Sequence, residues 1–375
     1  LLLYTAHYGG GDFAKWLDSH QPFHWFAEFY GIFESHGGFD VVIGNPPYIA
    51  MSKIKYKIKF TEKIFTDIYG YVLDRISYLQ HEQSKEGMIV MHNLAFASGF
   101  DQIRRDFINE GSTNWFSFYA RIPAGLFSGD VRVRNCIVVR DRTRRSGKSK
   151  NYSTRIHRWN QEARDSLFYV LKMTEIQLVD RIPMIDSKIE AVYFNSETTL
   201  SKTANYFSGF SNYPLFFRGT AYNWITVGLT PPPSYDSSGI SIEATNMMLL
   251  FATDEIAWKA LFVLFNTRLL FTQWLIWGDE LNVTQFPFLS LPFDLSQFSE
   301  NEKSEISVAF DYLKDNILDT VQFKLNAGLK IGSFNNSKFW EYLMPVERLF
   351  LSKFTSEPEL MSEAISNHLL STIKQ

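Results

Sequence analysis

The chain has 375 residues, enough for two or three domains with sizeable cores. Its net charge of −3 leaves no global basic field, so any nucleic-acid footprint must be local. One cysteine excludes an intramolecular disulfide framework and fits a reducing cytoplasm; no uninterrupted apolar run of about 18 residues indicates a membrane span.

The first residue is Leu, and Leu1-Leu2-Leu3 has neither a basic flank nor a small-residue cleavage site. An internal start is therefore expected, making this the carboxyl-terminal part of a longer protein. Leu1 to Tyr4, then Gly9-Gly10-Gly11, then a helical pattern over Asp12 to Asp18 have the order strand, glycines, helix. A cofactor phosphate or carboxylate site would use that order, and so would a helix cap or turn.

Residues 40 to 50 read Asp-Val-Val-Ile-Gly-Asn-Pro-Pro-Tyr-Ile-Ala. Val41 to Ile43 are β-branched, as in a strand buried on both faces. Pro46 and Pro47 stop it, since neither has an N–H and a residue before proline is pushed out of helical space. One amide, one carbonyl and one aromatic ring are then held at the carboxyl end of a strand, where open α/β sheets bind ligands. The exocyclic amino group of a base is a poor nucleophile, because its lone pair is delocalised into the ring. The Asn45 side-chain oxygen and the Pro46 carbonyl would each accept one of its hydrogens, favouring a more tetrahedral nitrogen able to attack an electrophilic methyl group. Tyr48 would stack on a base flipped out of the duplex. The plain alternative is a strand-ending turn, because Asn and Pro are ordinary turn residues.

Asp67 to Gln80 has helical spacing, with Asp67 as N-cap. Met88 to Met91 is a short strand, Asp101 to Asn109 a helix, and Trp115 to Tyr119 and Asn135 to Val139 strands joined by a loop from Ala124 to Arg134. Ten basic residues between Arg132 and Arg158, among them Arg134, Arg142, Arg144 and Arg145, have only Asp141 as an acidic neighbour. They suit DNA phosphates or, equally, a solvated basic hairpin.

The pattern changes around Ile182 to Ile189. Strands Leu215 to Arg218 and Asn223 to Val227 flank the hairpin-like Gly219 to Tyr222. Arg218, Tyr222 and Trp224 are candidate DNA contacts by position, with a structural role as open for each. Asp254 to Trp277 reads as one long apolar helix capped by Thr253 or Asp254. From Glu300 the chain reads helical, over Glu302 to Phe323, Ser337 to Phe350 and Glu359 to Ile373.

Asn45-Pro46-Pro47-Tyr48, its lead-in from Phe23 to Phe29 and Gly37 to Asp40, the helix start Thr66 to Tyr71 and the strand Gly87 to Asn93 resemble one family. These are the gamma-class amino-methyltransferases acting on adenine N6 in DNA, above all type IIG-like restriction–modification enzymes and phage-defence relatives. Phe100 to Ile108 and Gly125-Leu126-Phe127, leading into Asn135 to Val139, extend the likeness. The resemblance implies S-adenosylmethionine as methyl donor, double-stranded DNA as partner, and Phe127 as the aromatic residue on the other face of the base. It also implies an α/β fold: a partial Rossmann-like methyltransferase domain (1–185), an α+β target-recognition domain (186–299, with a looser likeness around Asn266-Thr267) and a helical region (300–375). In that fold about 60 residues separate the glycine-rich cofactor loop from the catalytic strand. Only about 30 follow Gly9 to Gly11, so a turn is favoured there and the donor loop is expected outside this chain.

The eight histidines do not cluster with metal-ligand spacing, and His20 and His24 lack a third partner. Cys136 sits inside an apolar strand, as a packed thiol does. With no Glu-x-Lys triplet, any nuclease centre of that type lies outside the chain. A DNA-binding module without catalysis is the alternative from another class. A glutamine amide in a protein, or cytosine N4, presents the same nitrogen chemistry.

Overall fold

Two glycines set the course of the first strand. Gly37 ends a short helix in the left-handed region at φ +74°. At Gly38 (φ +145°) a Cβ would lie 2.7 Å from the carbonyl oxygen of Leu79, so only glycine lets the chain pass this closely. The computed structural model describes all residues except 1–11, 22, 56, 57, 59, 128–132, 144–146, 170, 179, 186–200, 280, 374 and 375. The expected turn at Gly9 to Gly11 lies outside the described residues.

Helices α1 (Phe13–His20), α2 (Trp25–Glu28) and α3 (Tyr30–His36) lead into β1 (Phe39–Gly44). A mixed six-stranded sheet follows, in the order β1-β2-β4-β3-β5-β6. Its other strands are β2 (Gln80–Met91), β3 (Thr113–Tyr119), β4 (Asn135–Asp141), β5 (Lys150–His157) and β6 (Thr174–Ile176). β1 runs parallel to β2, with Gly44 opposite Met88 at the end of the ladder. Period-two alternation sorts the two faces of the sheet. Met88, Val90, Phe116, Phe118, Cys136 and Val138 join the main core with helices α4 (Ile68–Leu79) and α5 (Asp101–Asn109). Ile89, Ile137 and Tyr119 point the other way, into a smaller cluster with Leu126, Phe127 and Trp159.

Two expectations change in this sheet. β1 is not buried on both faces: Val41 is 60% and Ile43 78% exposed, two residues apart and so on one face, and no described strand pairs with its outer edge. β2 begins eight residues earlier than Met88, through a polar stretch that hydrophobic pattern does not mark as strand. Its buried Glu86 lies 3.9 Å from Arg140 on the neighbouring β4, and that charge partner makes a polar strand residue tolerable inside.

The second region carries two small sheets. One has the order β7-β12-β8-β9, from β7 (Phe207–Ser208), β8 (Pro214–Arg218), β9 (Val227–Gly228) and β12 (Met247–Ala252). Most of the strand expected over Asn223 to Val227 is therefore loop. The apolar stretch after Asp254 is two helices, α6 (Glu255–Asn266) and α7 (Arg268–Trp277), bent by 67°. Asp254 caps the first through Ala257 N–H. Thr267 breaks the run: its hydroxyl donates to the Leu264 carbonyl at 2.6 Å, and its oxygen caps the next helix at Leu269 N–H. The buried Arg268 binds Glu347 through main-chain N and Nε at 3.0 and 3.1 Å. That pair ties α7 to α10 (Trp340–Ser352), reached through α8 (Phe286–Ser290) and α9 (Glu300–Asn316).

Residues 300–375 are not helical throughout. Helix α9 ends at Asn316, and β13 (Val321–Asn326) and β14 (Leu329–Phe334) form a hairpin. β14 pairs with β10 (Ser234–Tyr235), which pairs with β11 (Ser241–Ile242), so one sheet joins the recognition-like stretch to the carboxyl-terminal one. The last described helix is α11 (Pro358–Ile373).

Candidate active site

The corner begins where the β1–β2 ladder stops. Pro46 and Pro47 offer no N–H to continue it, and the chain is returned to the start of α4 by hydrogen bonds. Asp67 caps α4 at Tyr69 N–H, and the same carboxylate oxygen accepts from Ile49 N–H at 3.0 Å. Ile68 N–H donates to the Ile49 carbonyl and Met51 N–H to the Thr66 carbonyl, both at 2.9 Å. The helix cap is therefore also the clamp behind Tyr48, a second role that helical spacing cannot reveal.

Tyr48 is half-buried, and its hydroxyl lies among three polar groups. Oη is 2.7 Å from Asn45 Oδ1, 2.9 Å from the Ile89 carbonyl oxygen and 3.2 Å from Asn135 Nδ2. Burial pushes the phenol up to about 12, so it stays protonated near neutrality. Tyr69, itself bonded to Asn93 Oδ1 at 2.6 Å, meets the Tyr48 ring edge-on at 6.3 Å. Phe127 faces Tyr48 across 6.4 Å with the planes tilted by 57°. Its loop is held by Arg164, which donates to the Leu126 carbonyl at 2.8 Å, and by Ala124 N–H on the Trp159 carbonyl at 3.1 Å. Asn45, Pro46, Pro47, Tyr48 and Phe127 are thus brought together. Asn135 and Asp67 join them, the first visible in sequence only as the opening residue of an apolar strand.

Residues 9–121 match the Eco57I restriction-modification methylase family. That stretch includes β1, the corner, β2 and β3, and makes up less than a third of the chain. No curated protein matches. Among solved structures, the chain is similar to the type IIL restriction-modification enzyme MmeI in complex with DNA. The likeness has 10% identity over 89% of this chain and 54% of that one, with a TM-score of 0.41. A DrdV–DNA complex is similar at 14% identity over 36% of this chain and 17% of that one, TM-score 0.30. A modification subunit of a putative type I restriction enzyme from Vibrio vulnificus YJ016 is similar at 14% identity over 40% and 38%, TM-score 0.29. The chain thus spans about half the length of MmeI and less of the other two.

Among the described residues, the basic side chains near the methylase-like corner do not form one surface. Arg132, Arg144 and Arg145 lie outside the described residues. Arg142 is buried, its guanidinium bonded to Gln80 Oε1 at 2.7 Å and paired with Glu110 at 2.9 Å, so it serves an internal ion pair instead of a phosphate. Arg140 shares Glu110 at 3.5 Å. The acids facing these arginines, Glu86 in β2 and Glu110 just after α5, are distant in sequence, so the stretch is unopposed only along the chain. Arg134 is half-buried beside Asn135, its carbonyl accepting from His92 N–H at 3.1 Å. Arg218 donates to the carbonyls of Gly332 at 2.6 Å and Thr245 at 3.3 Å, stapling two sheets together. Tyr222 is exposed under the Arg158 guanidinium at 5.1 Å, and Trp224 is half-buried nearby in sequence.

A cleft of about 550 Å³ runs along β1 beside the corner, lined among others by Trp25, Val41, Ile43, Asn45, Pro46 and Arg75. Its walls are largely apolar. Among the described residues no glycine-rich strand-to-helix turn precedes β1. No group of three or more metal-ligating side chains occurs among them, and no single helix is long and apolar enough to cross a membrane. Cys136 is fully buried in β4 and burial raises its thiol well above the ordinary value.

Proposed function

We propose that this chain carries the acceptor half of a cytoplasmic, site-specific DNA methyltransferase that modifies N6 of an adenine flipped out of the duplex. One observation carries the reading: Asn45, Pro46 and Tyr48 stand at the carboxyl end of a strand within the stretch matched to a restriction-modification methylase, and Phe127, beyond that stretch, faces Tyr48. In this reading the Asn45 side-chain oxygen and the Pro46 carbonyl each accept one hydrogen of the amino group. The nitrogen lone pair is then turned out of conjugation toward an electrophilic carbon. Tyr48 stacks on one face of the base, and Phe127 closes on the other by turning from its 57° tilt toward parallel. S-adenosylmethionine supplies an electrophilic methyl group in this reaction class. The described residues include no glycine-rich strand-to-helix turn to hold it.

Arg134, Tyr222 and Trp224, with Arg132, Arg144 and Arg145, are the proposed contacts to double-stranded DNA, and Arg218 acts by shaping the surface that holds Tyr222. The biological setting proposed is restriction–modification or phage defence, with any nuclease domain or subunit outside this chain. Methyl incorporation into unmethylated genomic DNA by the full-length protein tests the reading. Asn45→Ala should lower it by about 10²–10³-fold, as loss of a preorganised transition-state partner does; undiminished incorporation would remove Asn45 from the chemistry. The missing donor set favours one second reading, a DNA-binding specificity module. Calorimetry on the 375-residue chain separates the two: DNA binding with no cofactor heat, and no methyl transfer by the full-length protein, supports the module.

A further inference from the structure

Asn135 is an expensive residue to place where it stands. It is 1% exposed at the start of β4, and its Oδ1 has no hydrogen-bond partner among the described residues. A buried amide with one end unsatisfied opposes folding unless its other end does something useful. The other end, Nδ2, reaches Tyr48 Oη at 3.2 Å and the Val90 carbonyl at 3.4 Å.

An amide nitrogen only donates, so it occupies one lone pair of the Tyr48 hydroxyl. The hydroxyl keeps one hydrogen and has two acceptors within reach, Asn45 Oδ1 at 2.7 Å and the Ile89 carbonyl at 2.9 Å. It can satisfy one well at a time. The second acceptor exists because β1 stops pairing at Gly44 opposite Met88, and the carbonyl one residue further on meets Tyr48 instead of a strand. Asn45 Oδ1 is also the atom that the amino group of the substrate has to reach.

We propose that Asn135 is a positioning residue that holds the Tyr48 hydroxyl as a two-way donor: it caps Asn45 Oδ1 in the empty site and turns to the Ile89 carbonyl when an amino group arrives. This rests on the function proposed above. Only one hydrogen moves, by rotation about the bond from ring to oxygen, while the ring stays in place to stack. Asn45 is thereby held in its working orientation before substrate enters, and its oxygen is released without a water having to be expelled. The raised phenol pKa fits the role, because a phenolate would have no hydrogen to turn.

The test is a double-substitution cycle in the full-length protein, with labelled S-adenosylmethionine and unmethylated genomic DNA. Tyr48→Phe keeps the stacking face and removes the hydroxyl. It should lower kcat roughly tenfold, about the worth of one hydrogen bond, with little change in KM for DNA. Asn135→Leu should lower kcat to a similar extent, but add nothing in the Tyr48→Phe background, because its effect passes through the missing hydroxyl. Asn135→Thr, which restores a donor, should recover part of the loss and guards against a mere folding defect. Losses that multiply, or that appear in KM alone, would overturn the role of Asn135 while leaving the methyltransferase reading intact. A wild-type protein that binds this DNA and transfers no methyl group would overturn both.

Discussion

β1 and β3 lie in one sheet and share an apolar character, yet they live in different surroundings. β3 is flanked by β4 on one side and β5 on the other, and Phe116 and Phe118 are completely buried. β1 has β2 on one side and no described strand on the other, and it shows Val41 and Ile43 to solvent. Hydrophobic, β-branched sequence thus reports what a strand is suited to touch, whereas what packs over its faces decides what it does touch. The candidate active site hangs from the strand with less support. Its rigidity comes from Asp67, Ile89 and Asn135, on the elements behind it.

The sharpest way to test that contrast is to empty a position in β3. Phe118→Ala removes a fully buried ring from the main core, and chemical denaturation should show a loss of about 3–5 kcal/mol. A loss below about 1 kcal/mol would mean that β3 is not the packed centre of the sheet.

What the sequence made legible follows the same division. Local signals served well: the Asp67 and Asp254 caps, the α5 span and the stop at Pro46 all depend on neighbours in the chain. Features made by distant partners did not show. Glu86 and Glu110 neutralise Arg140 and Arg142 only after folding, so a sequence census counted those arginines among candidates for DNA. The polar start of β2 was hidden because Gln80 pairs with Phe39 of β1, far back along the chain, and β14 gains a second partner in the equally distant β10. The corner residues Asn45 to Tyr48 were readable because proline geometry is local. Asn135 was not, because nothing near it in sequence says that it meets a tyrosine 87 residues earlier.

A smaller effect should come from the end of β2, where His92 is buried next to the corner. Burial first, then the positive charge of Arg134, pushes its imidazole down to about 3, against partial compensation from Asp279. The folded protein therefore refuses a proton that the unfolded chain accepts below about 6.5. Stability contributed by the neutral ring is fully present above that pH and falls as pH drops toward 3. Between pH 6.5 and 5 the loss should be about 1–2 kcal/mol, in a range where most carboxylates have yet to titrate. His92→Gln should flatten that part of the stability profile; an unchanged slope would assign it to other groups.

The smallest effect is expected on β1 itself. Val41→Thr and Ile43→Thr keep β-branching and strand propensity while adding a hydroxyl on residues that are 60% and 78% exposed. At exposed positions each should change the stability of the 375-residue chain by no more than about 0.5 kcal/mol. Were the same side chains covered, each unpaired hydroxyl would cost about 1–3 kcal/mol. Denaturation midpoints of the two single variants and the double variant therefore measure directly whether this face is open. Near-wild-type midpoints keep β1 and β3 apart as described; a double variant weaker by more than about 2 kcal/mol would make them alike and place a covering element over the strand that ends in Asn45.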